Sequence, residues 1–160
     1  FSNLIILRLF NTAGIFNNKF RIFKFKRKNF QRLIFKIIQN YKNKKTTNIN
    51  FIKRKNKTIY PSRDFISIMD LAVIIKKILN KISKKNGFNE VINVGSGKSI
   101  PVNKIINIFK KKYRKKIKVN YVQLPKNELI YTKASIKKLK TFINYSPKIK
   151  IKQIITSHYE

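Results

Sequence analysis

The sequence predicts an α/β fold, and three observations carry that expectation. Short apolar runs of strand character alternate along the 160 residues with stretches whose apolar residues recur three and four apart. Turn-type clusters of Gly, Pro, Asn and Ser separate the two kinds of segment. A hydrophobic fraction of 42% is enough for a real core and too rich for a disordered polycation. No internal repeat interrupts the alternation.

Residues 3–10, Asn-Leu-Ile-Ile-Leu-Arg-Leu-Phe, read as a strand buried on both faces. Because this strand opens a sequence that starts at Phe1 and not at Met, an earlier part of the chain is expected. Asn11-Thr12-Ala13-Gly14 is a turn cluster, and residues 15–28 are basic and aromatic without a period, as in a loop. Phe30, Leu33, Ile34, Ile37, Ile38 and Tyr41 have helical spacing, which predicts a helix over 30–41. Asn50-Phe51-Ile52 is a short strand candidate, and residues 53–62 form a charged loop. Asp70 precedes a stripe of Leu71, Ile74, Ile75, Ile78, Leu79 and Ile82, which reads as an N-cap followed by a helix. Residues 90–94 form a strand closed by Gly95-Ser96-Gly97. Pro101 then stands at a first helical position ahead of Val102, Ile105, Ile106 and Phe109. Residues 117–122 alternate like a strand that Pro125 ends. Ser135 is placed to cap a short helix carrying Ile136, Leu139 and Phe142, and Pro147 precedes a last amphipathic segment with Ile149, Ile151, Ile154 and Ile155.

Composition excludes several kinds of chemistry. There is no cysteine, hence no disulfide or thiolate metal site, and the one histidine, His158, cannot build a histidine cluster alone. No apolar run approaches the roughly 20 residues of a membrane span, and no secretory leader is visible. Lys and Arg number 39 against 5 Asp and Glu, a formal charge of +34. A polyanion partner would use such charge. Yet Ile, Lys, Asn, Phe and Tyr together make up 100 of the residues, and phosphate binding gives no reason to enrich Ile or Asn. These five have the codons richest in A and T, and Arg, the better phosphate fork, supplies only 7 of the cations. Composition bias therefore explains the charge better than selection for nucleic acid. Whatever its origin, it predicts nonspecific, salt-sensitive sticking to polyanions.

Four blocks carry more specific information. They are Leu7-Arg8-Leu9-Phe10-Asn11-Thr12-Ala13-Gly14, then residues 63–72 (Arg-Asp-Phe-Ile-Ser-Ile-Met-Asp-Leu-Ala), then residues 91–99 (Val-Ile-Asn-Val-Gly-Ser-Gly-Lys-Ser), then Ala134 to Leu139 with Tyr145-Ser146-Pro147-Lys148. In this order they resemble the C-terminal half of the NAD-dependent epimerase/dehydratase family, the extended short-chain dehydrogenase/reductases. The second block is the most specific. The Asn-Thr-Ala-Gly turn is most similar to the family's UDP-glucose 4-epimerase branch.

The resemblance implies a fold and a role. The fold is the C-terminal part of a Rossmann-type enzyme with its small substrate-binding α/β subdomain, and residues 1–160 would be that portion of a chain about twice as long. The whole enzyme would interconvert UDP-glucose and UDP-galactose through a transient 4-keto sugar, using bound NAD. It implies a cytoplasmic enzyme, a homodimer when complete, with a UDP-sugar as its partner and no membrane. The dinucleotide fingerprint, the catalytic Tyr-x-x-x-Lys and its Ser/Thr partner would lie upstream of Phe1. No catalytic residue is therefore expected here, and the chain alone is expected to be inactive.

Residue by residue, Arg63 matches the family's pyrophosphate clamp, a task that suits a planar guanidinium; the plain alternative is one more surface cation. Asn11 is implied in substrate contact and Phe10 in nicotinamide contact, where a turn Asn and a core Phe would serve equally well. Asn29 and Phe30 match a helix start that contacts the nucleotide, or a simple N-cap. Phe51 matches an aromatic beside the uracil, or an ordinary core residue. The family's Arg-x-Gly-Asp is replaced by residues 123–128, where Lys126 offers one point charge, and Tyr131 stands near the family's pocket aromatic. Asp64 and Asp70 read as structural, Asp64 as a local partner for Lys or Arg. Gly95-Ser96-Gly97 reads as a structural turn, since it has neither dinucleotide nor Walker spacing. The rival readings are a related dehydratase or reductase on the same scaffold, and a non-catalytic basic module that binds RNA or DNA.

Overall fold

A computed structural model describes residues 3–14, 32–84, 87–113 and 117–157. The elements run β1 (Leu4–Leu9), β2 (Asn11–Ala13), α1 (Leu33–Lys42), β3 (Thr47–Arg54), β4 (Lys57–Ile59), β5 (Ser62–Ser67), α2 (Ile68–Ile82), β6 (Asn89–Val94), β7 (Ser99–Pro101), α3 (Val102–Tyr113), β8 (Val119–Gln123), α4 (Lys137–Ile143) and α5 (Ile151–Ser157). The expected α/β class is what the chain adopts. It divides into two units, residues 1–18, 64–98 and 133–160 forming the first and residues 19–63 and 99–132 the second.

In the first unit β1 runs parallel to β6, in register from Leu4 opposite Asn89 to Leu9 opposite Val94, and β2 runs parallel to the end of β5. α2 follows β5 directly and leads the chain back to β6, which pairs with β1 and not with β5. Its stripe of Ile74 and Ile78 buries against Ile66, Ile92, Val94, Leu139 and Ile143, the core of this unit. Ser67 caps α2 through its hydroxyl, which accepts from the Met69 N–H at 3.2 Å.

Two expectations fail here. β1 is not buried on both faces: Ile5 and Leu7 pack inward, whereas Leu4 and Ile6 are about half exposed, as is Val91 opposite Ile6. A strand is covered on both sides only if something packs on each face of its sheet. Asp70 is not the N-cap either, since α2 begins two residues before it. It lies in the first turn, 2% exposed, and its carboxylate accepts from the Tyr145 hydroxyl at 2.6 Å and from the Lys148 and Ile149 N–H groups at 3.1 and 2.9 Å. Burial, then this hydrogen bond, then the charge of Asp70 push the Tyr145 hydroxyl pKa well above the usual phenol value.

In the second unit the sheet order is β4-β3-β8, with β3 parallel to β8 and antiparallel to β4. The expected charged loop is therefore partly a hairpin, turning at Lys55 and Asn56, with Lys55 at φ 40°. Ile34, Ile37 and Ile38 of α1 and Ile105, Ile106 and Phe109 of α3 are buried, as is Ile49 on β3. At the end of α1, Asn40 ties the chain down through bonds from its side-chain amide to the Thr46 carbonyl and the Thr47 hydroxyl. Towards the C-terminus α4 starts after Ile136, without a side-chain cap, so Ser135 does not serve as one.

Candidate functional site

The Arg-Asp pair at the start of the most specific motif separates into two roles. Asp64 is fully buried in the first unit. It makes no ion pair among the described residues; one carboxylate oxygen accepts from the Ser96 N–H at 2.7 Å and the Ser96 hydroxyl at 2.6 Å, the other from the Gly97 and Ala134 N–H groups at 3.0 Å each. The expected Lys or Arg partner is replaced by backbone donors, which stabilise a buried carboxylate without placing a second charge in the interior. The same bonds explain the Gly-Ser-Gly turn as structure. A Cβ on Gly95 would lie 2.5 Å from the Ala134 Cβ, and Gly97 has φ +74°.

Arg63 lies in the second unit, at the start of β5. Its side chain is 18% exposed. One guanidinium nitrogen donates to the Ser62 carbonyl at 3.1 Å, and another to the Glu128 carboxylate at 3.2 Å. The Ser62 backbone also binds the segment that carries Tyr131. Its N–H donates to the Ile130 carbonyl at 2.8 Å, and its carbonyl accepts from the Thr132 N–H at 3.0 Å. Tyr131 is 59% exposed. The connection continues into the sheet: Glu128 closes a turn onto the Pro125 carbonyl, and the Leu124 N–H donates to the Phe51 carbonyl at 2.9 Å. One hydrogen-bonded run thus links Phe51, the turn holding Lys126, Glu128, Arg63 and Tyr131. Lys126 is exposed and Phe51 half-buried.

The first unit holds the other two candidates. Phe10 is half-buried at the end of β1, its N–H donating to the Val94 carbonyl at 2.9 Å. Asn11 is exposed, and its side-chain amide donates to the Asp64 carbonyl at 2.9 Å. Asn29 and Phe30 lie outside the described residues. Glu128 is the residue sequence reasoning passed over. It was legible as an acid: only five occur, and each of the four described ones is bonded, Glu90 to Lys138.

One tyrosine does have a lysine four residues on. Tyr41 and Lys45 meet the Tyr-x-x-x-Lys spacing, but α1 ends at Lys42 and Lys44 takes φ 55°. The pair therefore cannot stand one turn apart on a helix face, as that motif requires. Among the described residues no cluster of three or more His, Asp or Glu could hold a metal. No helix among them is long and apolar enough to cross a membrane.

No family model matches the sequence. Over 93 residues the chain is 36% identical to a UDP-glucuronate 4-epimerase of Thermodesulfobacterium geofontis, a stretch that is 58% of this chain and 27% of that one. Its structure is similar to a UDP-glucose 4-epimerase crystal structure, with TM-score 0.81 and 21% identity, over 98% of this chain and 47% of that one. It is similar also to the Bacillus cereus UDP-glucuronic acid 4-epimerase solved with UDP-glucuronic acid and NAD, with TM-score 0.74 and 24% identity, over 97% and 43%. The chain spans less than half the length of these relatives. The sequence is thus similar to a UDP-sugar 4-epimerase over part of its length, and over nearly the whole chain its fold is that of part of these 4-epimerase structures.

Proposed function

We propose that the chain is the C-terminal, substrate-binding portion of a UDP-sugar 4-epimerase. The observation that carries this is the run in the second unit, where the largely covered Arg63 side chain follows Ser62, whose backbone is bonded on either side of an exposed Tyr131. Such a guanidinium suits a diphosphate, because it offers paired donors in one plane. On this reading Arg63 and Lys126 hold the pyrophosphate, Phe51, Tyr131, Asn29 and Phe30 the nucleoside, and Asn11 the sugar. The exposed apolar face of Leu4, Ile6 and Val91 supports a chain that works within a longer epimerase fold.

Bound NAD would supply reversible hydride acceptance. Of this chain's residues Phe10 fits that group, as an apolar wall. The four glycines do not form a dinucleotide loop, so binding of most of NAD belongs to another part of the fold. What these residues do is hold and orient the UDP-sugar. The complete enzyme is a cytoplasmic homodimer on this reading, and this portion alone is inactive.

Two substrates compete. The Asn11-Thr12-Ala13-Gly14 turn favours UDP-glucose and UDP-galactose, whereas the 36% identity to a UDP-glucuronate 4-epimerase favours a uronic sugar. Calorimetric titration of the chain with UDP, UDP-glucose and UDP-glucuronate tests the proposal. UDP should bind, and Arg63→Met should weaken it about tenfold or more. Tight, sequence-dependent RNA binding at high salt with no response to UDP would overturn the reading in favour of a nucleic-acid module.

A further inference from the structure

We propose that Glu128 is a resident counterion that an entering diphosphate must displace from Arg63, so that it sets the threshold for anions at this site. This rests on the reading of Arg63 as a phosphate clamp. The two side chains are held differently. Arg63 is largely covered and tethered to the Ser62 carbonyl, whereas Glu128 is 49% exposed at the end of a surface turn. A carboxylate so placed can swing into water while the guanidinium stays. A diphosphate brings more charge and more acceptor oxygens than one carboxylate, so it wins the exchange.

Composition gives the exchange a purpose. The chain carries +34, and a bare guanidinium on such a background would pair with any passing anion. Among the described acids, Asp64 and Asp70 are buried under four and three donors, and Glu90 pairs with Lys138. Glu128 alone is spent on the candidate ligand-binding cation. An ion pair of this exposure is weak, so the threshold it sets is modest, about two- to fivefold in affinity.

The test is a set of calorimetric titrations with UDP and with inorganic pyrophosphate on the full chain, its E128Q, E128D and R63M variants, and the R63M/E128Q double variant. E128Q should bind both anions about two- to fivefold tighter. E128D, which keeps the carboxylate, should match the parent, and E128Q should change nothing in the R63M background. A circular dichroism melt matching the parent shows that E128Q is folded. Unchanged or weaker binding by folded E128Q overturns the counterion role, because a residue that merely poses Arg63 would weaken binding when lost. If UDP binds through Arg63 without that gain, the counterion role falls and the UDP-sugar reading stands. If pyrophosphate binding tightens while UDP fails to bind, the counterion role stands and the UDP-sugar reading falls. Absence of pyrophosphate binding to every variant overturns both.

Discussion

Arg63 and Asp64 are neighbours in sequence and opposites in structure. Asp64 is fully buried and takes four hydrogen bonds from one turn and one loop of the first unit. The Arg63 side chain is covered except for 18% of its surface, and its charge partner is a half-exposed carboxylate. The contrast teaches where each kind of charge goes when acids are scarce and bases abundant. A buried acid satisfied by backbone donors builds structure. A cation on a loose partner remains available to a ligand.

The sharpest way to break the comparison is Asp64→Ala. It leaves three backbone N–H groups without their acceptor and the Ser96 hydroxyl with only the Lys98 carbonyl, so a loss of about 3–5 kcal/mol is expected, a large share of the stability of a domain of this size. Urea denaturation followed by circular dichroism measures it. Asp64→Asn should cost less, because the amide oxygen still accepts. A cost below about 1 kcal/mol for the alanine variant would mean that these bonds are not what holds the Gly-Ser-Gly turn.

Next in size is Gly95→Ala. The added methyl meets the Ala134 Cβ at 2.5 Å and an Asp64 carboxylate oxygen at 3.0 Å, and neither is the loose end of a long side chain. Overpacking of this kind costs about 1–3 kcal/mol. Gly87→Ala is the control at a glycine where nothing lies within 4 Å, although its φ of +85° gives it a strain cost of its own. The thermal midpoint of Gly95→Ala should fall further.

These two variants also mark what was legible in the sequence. The helix stripe of Ile74 and Ile78 and the strand over 90–94 show in local spacing, because 3.6- and 2-residue periods are properties of the element itself. The Arg-Asp motif was legible through resemblance. The partners of Asp64 and Asp70 were not: they lie 32 to 79 residues away, and no local pattern reports which distant N–H will point at a carboxylate. Asp70 looked like a cap because caps are local, whereas Ser67 does that work. β4 was hidden because Lys57, Thr58 and Ile59 are all exposed and show no apolar alternation. Exposure of Leu4 and Ile6 was illegible for another reason, since it depends on what covers the sheet and not on β1.

Tyr145→Phe is the third step down. It removes one of three donors to Asp70 and leaves the ring, so about 1–2 kcal/mol is expected near neutral pH. The pH dependence sharpens this. The Tyr145 pKa is raised in the folded state, so the protonated phenol is what the fold favours. That contribution is complete below the unfolded phenol pKa of about 10 and is lost as pH rises above it. The stability gap between the parent and Tyr145→Phe should be flat from pH 7 to about 9.5 and should shrink above pH 10. A gap that grows there would reverse the sign and refute the assignment.

The smallest expected effect is the one that completes the comparison. Arg63→Ala removes a bond to Ser62 and a partly exposed ion pair, and exposed pairs contribute about 0.2–1 kcal/mol. The loss of one cation from so positive a chain relieves some repulsion, which offsets part of that cost. Arg63→Ala should therefore melt within a few degrees of the parent while Asp64→Ala does not. Adding 0.5 M NaCl should narrow even that difference, since screening weakens a surface pair and leaves the buried Asp64 bonds nearly untouched. If Arg63→Ala instead destabilises as much as Asp64→Ala, the guanidinium is a structural group, and its availability to a diphosphate would have to be given up.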